Sequence, residues 1–335
     1  MYIIKQIPED FIVQEISGIE IKERGRFAYY ALKKRKYTTE RAIKAVALEL
    51  RLQRKQISYA GAKDKDAVTV QTISIAGKGR ELKQKELELK FLGFGDTPVS
   101  LGCLKGNRFA ITVRNMASAK ISRVARIPNY FDEQRFSANN VGIGKAILEQ
   151  RFDKAVELIL QGRGENERRV MSNLAGNNYI QAMRTVPKNT LLMYIHSVQS
   201  YIFNETLSGF LANPQAKRVK YSLGEFVFPD PLPKAEKIPL IGFGTELEGL
   251  SPRIGQAIQR TLTRNGIHLR DFIIRKIPML SSEGDDRDIY AAVRDLRIGK
   301  PKPDDLNTGK YKVTLSFELQ KGSYATIVLR AMLPN

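Results

Sequence analysis

Cysteine and histidine are almost missing from this chain. Its 335 residues hold one cysteine, Cys103, and two histidines, His196 and His268, far apart in sequence. A single thiol rules out an intramolecular disulfide and fits a reducing compartment. No zinc-ligand spacing can be assembled from these three side chains, and no acidic cluster suggests carboxylate-bound magnesium. No apolar run approaches the roughly 20 residues that a membrane helix needs. Met1-Tyr2-Ile3-Ile4-Lys5 lacks the layout of a signal peptide. A cytoplasmic protein without membrane association is the expectation by elimination. Gly142-Ile143-Gly144-Lys145 has neither the glycine spacing nor the following Ser or Thr of a triphosphate loop. No Gly-x-Ser-x-Gly occurs either. The expected chemistry therefore uses neither zinc nor a nucleotide triphosphate, while a carboxylate magnesium site stays open.

Acid is scarce beside base. The chain has 55 Lys and Arg against 35 Asp and Glu, a formal net charge of +20. Such a field attracts polyanions and speeds encounter with them. A thermophilic surface would enrich both signs in networks, whereas here one sign dominates. Nucleic acid is the favoured partner, well ahead of an anionic membrane surface.

What the chain does have is a large apolar content, 42% hydrophobic against 27% charged residues. That composition predicts a folded protein of two domains, or of one domain with a large insertion. Strand signals open the chain: Ile3-Ile4-Lys5, a Pro8-Glu9-Asp10 turn, Phe11-Ile12-Val13, then Phe27 to Leu32. Thr38 or Thr39 can cap a helix to about Leu52, with Ala42, Ile43, Val46, Ala47 and Leu50 on one face. Further strands are expected at Ile57–Tyr59, at Val68–Ile75 and around Phe109-Ala110-Ile111-Thr112-Val113. Val313, Leu315, Phe317 and Leu319 alternate in the same way, and Tyr324 to Leu333 reads as a closing helix. The middle differs. Gly142 to Gln161 and Leu191 to Leu211 are helical, Lys217 to Phe243 is rich in proline, glycine and β-formers, and Ile254 to Leu280 mixes helix and strand signals. Lys300-Pro301-Lys302-Pro303-Asp304 has the look of a linker. The expected class is α+β. A mixed, largely antiparallel sheet domain (residues 1–138 and 306–335) is interrupted by a mixed α/β insertion (residues 139–305).

One loop stands out chemically. Ala60-Gly61-Ala62-Lys63-Asp64-Lys65-Asp66-Ala67 is polar and lies between two apolar strands. A carboxylate flanked by Lys63 and Lys65 is held ionised, and loops on a rigid sheet commonly carry function. The residues alone leave a charged surface turn equally open, and Asp66 would serve it as well as Asp64.

Five segments, in order, extend this. They are Ile4 to Val13, Tyr59 to Gln71, Leu104-Lys105-Gly106-Asn107-Arg108-Phe109, Pro128 to Phe136, and Leu319 to Arg330 with Gly322-Ser323-Tyr324-Ala325-Thr326. Together they resemble the motifs of the TruD family of pseudouridine synthases. The middle, about 140 to 305, is similar to that family's insertion domain only loosely. In the fourth segment the family has glycines where this chain has Asp132 and Ser137, which bears on the local turn.

The resemblance implies a tRNA pseudouridine synthase, an isomerase acting without a cofactor. The uridine would be that at tRNA position 13 or, as in some archaeal members, at position 35 of a tyrosine tRNA precursor. It assigns Asp64 the nucleophile or ribose-abstraction role and sets Lys5 beside it. It gives Phe109 the aromatic place that holds the flipped base, with Asn107 hydrogen-bonding near it. Flipping costs a few kcal/mol. Phosphate contacts are expected from Lys63, Lys65, Arg41, Lys44, Arg51, Arg54 and Lys55, and from Arg135, Arg163, Arg168 and Arg169. Lys217, Arg218 and Lys220 form a further basic group. These would line a cleft between sheet domain and insertion that reads RNA mainly by shape. The alternative is a non-catalytic structured-RNA-binding protein or RNA chaperone that keeps the fold. The intact Gly-x-Lys-Asp around Asp64 is the feature that separates the two.

Overall fold

A computed structural model describes residues 2–334 except 78, 119, 138, 163 and 235, so Arg163 lies outside the described residues. The chain opens with a 3-10 turn, Pro8–Asp10, that leads into β1 (Phe11–Ser17) and then β2 (Phe27–Arg35). Helix α1 (Thr39–Glu49) starts where the Thr38 hydroxyl accepts the Arg41 N–H at 3.2 Å. Its buried stripe is Ala42, Ile43, Val46 and Ala47. β3 (Ile57–Tyr59) and β4 (Val68–Ala76) flank the polar loop. β5 (Leu82–Gln84), β6 (Leu87–Gly95) and the long β7 (Leu104–Met116) complete the first block.

The middle block begins at β8 (Arg126–Pro128). Helices α2 (Asn140–Leu148), α3 (Phe152–Leu160), α4 (Glu165–Asn173), α5 (Tyr179–Arg184) and α6 (Lys188–Leu211) follow. Then come β9 (Lys217–Tyr221), β10 (Gly224–Phe228), β11 (Lys237–Leu240), α7 (Pro252–Asn265), β12 (Asp285–Asp288) and β13 (Tyr290–Ala292). The last block is β14 (Arg294–Ile298), β15 (Lys302–Pro303), β16 (Tyr311–Gln320) and α8 (Ala325–Met332).

The first and last blocks build one 10-stranded sheet in the order β14-β16-β7-β1-β4-β2-β6-β5, with β15 on β16 and β3 on β4. Within it β1 runs parallel to β4 and the other pairs are antiparallel. This is the expected mixed sheet. It places β1 at the centre, with β7 on one side and β4 on the other.

Contacts divide the chain into two compact units, Met1–Arg126 with Ala292–Asn335, and Ile127–Ala291. These changeovers differ from the expected 138/139 and 305/306. At the second, the supposed linker is structural. Lys302 and Pro303 pair with Lys312 and Tyr311, and β14 pairs with β16. Asp304 is buried, accepting from Arg114 Nη1 and from the Asn115 N–H, each at 2.8 Å. At the first, Tyr130 is wholly buried in the middle unit, where its hydroxyl bonds both the N–H and the C=O of Val227 at 3.1 Å. The Asn204 side chain likewise brackets the backbone of Phe131, at 2.9 and 2.8 Å.

Two further details depart from the sequence pattern. The helical stretch from Gly142 splits into α2 and α3 at Gln150, whose φ is +58°. Gly144, in the segment that hinted at a phosphate loop, is a packing glycine. A Cβ there would meet the Tyr194 carbonyl oxygen of α6 at 2.3 Å.

Candidate active site

Strand side chains alternate between faces, and directly paired residues share one. Glu15 lies opposite Asn107, Val13 opposite Phe109, and Phe109 opposite Phe317. Val13 pairs with Thr69 across the parallel edge, and Thr69 with Lys34. One face of the sheet thus carries an apolar row flanked by polar groups, and the loop 60–67 sits on the same strands.

That loop is tied down from below. The Gln71 amide donates to the Gly61 carbonyl at 3.1 Å, and the Thr39 hydroxyl accepts the Lys63 N–H at 2.8 Å and meets Gln71 Oε1 at 3.0 Å. The Lys34 ammonium donates to the carbonyls of Lys63 at 3.3 Å and Asp64 at 2.6 Å. Beneath the loop, Lys63 Nζ is 2.9 Å from Glu15 Oε2. The backbone is fixed while the Asp64 carboxylate stays 28% exposed.

Lys5 completes the pair. Its backbone is left-handed, φ +59°, an uncommon conformation for a residue with a side chain. From there Nζ donates to Asp64 Oδ2 at 2.6 Å and sits 4.3 Å from the centroid of the Phe11 ring. Phe11 meets Phe109 edge-on at 6.2 Å, and Phe109 meets Phe317 at 5.6 Å. Phe109 is mostly buried in this row, 7% exposed. Asn107 is half-buried, and its Oδ1 is buried without a hydrogen-bond partner among the described residues. An orphaned acceptor on the face of the aromatic row can take a hydrogen bond from a ligand. Asp64, Lys5, Phe109 and Asn107 therefore belong to one region of the sheet unit.

The electrostatics differ from the expectation drawn from Lys63 and Lys65. Lys65 is exposed, but the Lys63 side chain is only 8% exposed and is neutralised by Glu15. The cations that hold Asp64 are Lys5 and Lys34. Burial pulls Lys34 down to about 8, with Asp64 opposing the fall and Lys63 adding to it. Sequence reasoning missed Lys34, Thr39, Gln71 and Glu15 as parts of the site. One signal was available. Lys34 continues the inward phase of Ala28, Tyr30 and Leu32 on β2, where a lysine has no place without a partner.

The expected RNA contacts sort differently in each unit. In the sheet unit Arg41, Lys44, Arg51 and Lys65 are exposed, with the Arg41 guanidinium 5.1 Å from the Tyr37 ring. Lys63 is removed from that set by Glu15. Arg54 is removed as well, because it holds Glu40 at 2.9 and 2.7 Å and the Ile57 carbonyl at 2.8 Å. In the middle unit Arg168 and Arg169 are exposed on α4, and Arg169 pairs with Glu165 one turn back. Arg135 is half-buried, 3.4 Å from Ser200 Oγ. It lines a cavity of about 240 Å³ that also holds His196 and Glu283. Arg218 pairs with Glu225 at 3.3 Å. Among the described residues no group of His, Cys, Asp and Glu is arranged to hold a metal ion. Among the same described residues no helix is long and apolar enough to cross a membrane.

The chain's relatives are pseudouridine synthases, a class of RNA-modifying isomerases. The sequence profile described as tRNA pseudouridine synthase D (TruD) matches residues 2–169, 160–227 and 234–332. A Methanosarcina mazei protein named probable tRNA pseudouridine synthase D is 33% identical over 98% of this chain and 92% of its own length. The tRNA pseudouridine synthase D of Aquifex aeolicus is 28% identical over 98% and 97%. The crystal structure of the Methanosarcina mazei TruD protein superposes with a TM-score of 0.72 at 30% identity, covering 98% of this chain and 92% of that one. The chain belongs to the TruD family of tRNA pseudouridine synthases.

Proposed function

We propose that this protein isomerises a single uridine of tRNA to pseudouridine, with Asp64 as the reacting carboxylate. The observation that carries the proposal is the Lys5–Asp64 pair, 2.6 Å apart and a quarter exposed, on a loop whose backbone is bonded from beneath. The N1–C1′ bond of the flipped uridine breaks, with Asp64 attacking the ribose or abstracting a proton from it. The base turns and C5 bonds to C1′ as Asp64 leaves that carbon or, on the abstraction route, as the ribose regains the proton Asp64 took. C5 loses its proton and N1 gains one, so the product is an isomer, Asp64 is regenerated and no co-reactant is consumed. Lys5 keeps the carboxylate ionised until a substrate displaces it. Phe109 bounds the pocket for the base, and the unpaired Asn107 Oδ1 can accept a hydrogen bond from the uracil imide N–H. Arg41, Lys44, Arg51 and Lys65 of the sheet unit, and Arg135, Arg168 and Arg169 of the middle unit, serve as phosphate contacts. The target is the uridine at position 13, with position 35 of a tyrosine tRNA precursor as the second choice.

The test is to incubate the purified protein with unmodified tRNA transcripts and map pseudouridine base by base. The expected outcome is conversion at one uridine, abolished by Asp64→Asn, with tRNA affinity kept within about threefold because shape and phosphate contacts are retained. Binding without conversion by the wild-type protein would favour the non-catalytic alternative. Conversion by Asp64→Asn at the wild-type rate would remove Asp64 from the chemistry.

A further inference from the structure

Lys34 is a lysine with none of its surface exposed. A buried charge is tolerated only where polar groups compensate it. Here the compensation consists of the carbonyls of Tyr37 at 2.7 Å, Asp64 at 2.6 Å and Lys63 at 3.3 Å. An ammonium has three N–H groups, one for each. Two of these carbonyls are special. The Lys63 carbonyl belongs to the peptide before the Asp64 Cα and the Asp64 carbonyl to the peptide after it. One side chain therefore grips both peptide planes whose rotation would swing the Asp64 carboxylate. Thr39 holds the Lys63 N–H and Gln71 holds Gly61, but neither brings charge. The positive charge of Lys34 also favours the ionised Asp64 beside it.

We propose that Lys34 is a positioning residue for the reaction, whose ammonium fixes the backbone on both sides of Asp64 and helps keep its carboxylate ionised, so that losing its proton or its side chain slows the chemical step without weakening tRNA binding. This rests on Asp64 being the reacting carboxylate.

The charged groups around Lys34 are Asp64 and Lys63 on the loop, with their own partners Lys5 and Glu15. Its register partners, Thr69 on β4 and Leu87 on β6, do not titrate, and Glu40 at the start of α1 is taken by Arg54. With burial pulling its pKa down to about 8, Lys34 loses its proton within the working range of an enzyme assay. The neutral amine keeps two N–H groups, so one carbonyl then faces a lone pair. Stability moves the other way. Between about 8 and the ordinary lysine value of 10.5 the folded state binds fewer protons than the unfolded chain, so the contribution of Lys34 to folding stability rises with pH. A rate that falls where stability does not is the mark of positioning rather than of unfolding.

The experiment measures single-turnover rate constants and tRNA dissociation constants for wild type, Lys34→Met and Asp64→Asn from about pH 6 to about pH 9. The wild-type rate is expected to fall as pH rises through about 8, with affinity and far-ultraviolet circular dichroism unchanged. At neutral pH, Lys34→Met is expected to lose about 10- to 100-fold in rate with affinity within about threefold, the scale of a misplaced reacting group, and to lose the alkaline limb. A dead Asp64→Asn beside a Lys34→Met variant of wild-type rate would overturn the role of Lys34. Lys34→Gln is the second variant should Lys34→Met fail to fold, and a folded Lys34→Gln of wild-type rate would overturn the role equally. A wild-type rate flat through pH 8 would overturn the loss of the Lys34 proton as a cause of slowing. An active Asp64→Asn would overturn the assignment of Asp64 instead.

Discussion

Arg114 shows how much one side chain can hold in this protein. It is buried in β7 and donates at 2.8 Å to Asp10 and to Asp304, both buried, while reaching the exposed Asp305 at 2.7 Å. Burial alone would raise the Asp304 carboxyl. The N–H groups of Asn115 and Leu306, the Asn307 amide and Arg114 outweigh it and hold the group well below its usual range. The depressed pKa means that Asp304 adds stability above the unfolded value of 3.8, and that this contribution is lost as pH falls below it. Arg114→Met leaves two buried carboxylates without their counter-ion and is expected to cost about 3–5 kcal/mol at neutral pH. Urea unfolding at neutral and acid pH checks this, and the deficit should shrink as the carboxylates protonate. At this scale the sequence was legible where a motif carried the residue. Asp64, Lys5, Asn107 and Phe109 were named from it, and the structure brings them to one sheet unit. Glu15 and Gln71 were not, because their meaning depends on which loop lies above them, and for Lys34 the inward phase of β2 marked a buried lysine without naming its partner. Ser137 is an intermediate case. Its departure from the family's glycine was visible, and its φ of +47° shows the turn that a glycine would make without strain.

Elements were legible where burial is one-sided. Helix α1, with its Thr38 cap, and strand β16, with Val313, Leu315, Phe317 and Leu319 inward, followed directly from periodicity. β14, Arg-Asp-Leu-Arg-Ile, did not, because an edge strand blunted by charge has no apolar alternation to find. β6 was hidden by the lysines and glutamates around it, although Leu87 and Leu89 face the core with Ile43 and Val46. The supposed linker after β14 was misjudged for a related reason. Proline and lysine mark a chain end in one context and a sheet edge in another. The joint between β7 and β16 yields a prediction. Gly106 pairs with Ile16 on one side and Gln320 on the other, and a Cβ there would come within 2.4 Å of the Leu319 carbonyl oxygen. That neighbour is backbone and cannot step aside. Gly106→Ala is expected to destabilise the protein by about 1–3 kcal/mol as the strands part. It should also slow conversion, since Asn107 is the next residue. A melting temperature and a rate equal to wild type would show that the strands absorb the methyl group.

At the scale of the whole molecule the chain forms two compact units whose changeovers lie elsewhere than the expected 138/139 and 305/306. Strand-rich ends around a mixed middle announced two units, whereas the changeovers at 126/127 and 291/292 are set by side chains such as Tyr130 and Asp304 that only packing assigns. Those changeovers suggest an excision. In the sheet unit the Val293 N–H donates to the Ala125 carbonyl at 2.9 Å, so the two cut ends lie side by side and a short glycine-rich loop can join them. Removing residues 127–291 keeps all 10 strands of the large sheet, because β14, β15 and β16 come from the last block. It also keeps Lys5, Lys34, Asp64, Asn107 and Phe109. The excised protein is expected to fold and to unfold cooperatively. It loses Arg135, Arg168, Arg169 and the other cations of the middle unit, so fewer phosphates are neutralised on binding. For Z phosphates the slope of log affinity against log salt is roughly −0.7Z to −0.9Z. The intact chain, at a net charge of +20, should show a steep slope, and the excised one weaker tRNA binding with a shallower slope. Filter binding across a salt series measures both. An excised protein with the intact affinity and slope would mean that the middle unit makes no phosphate contacts and that the sheet unit alone holds the tRNA.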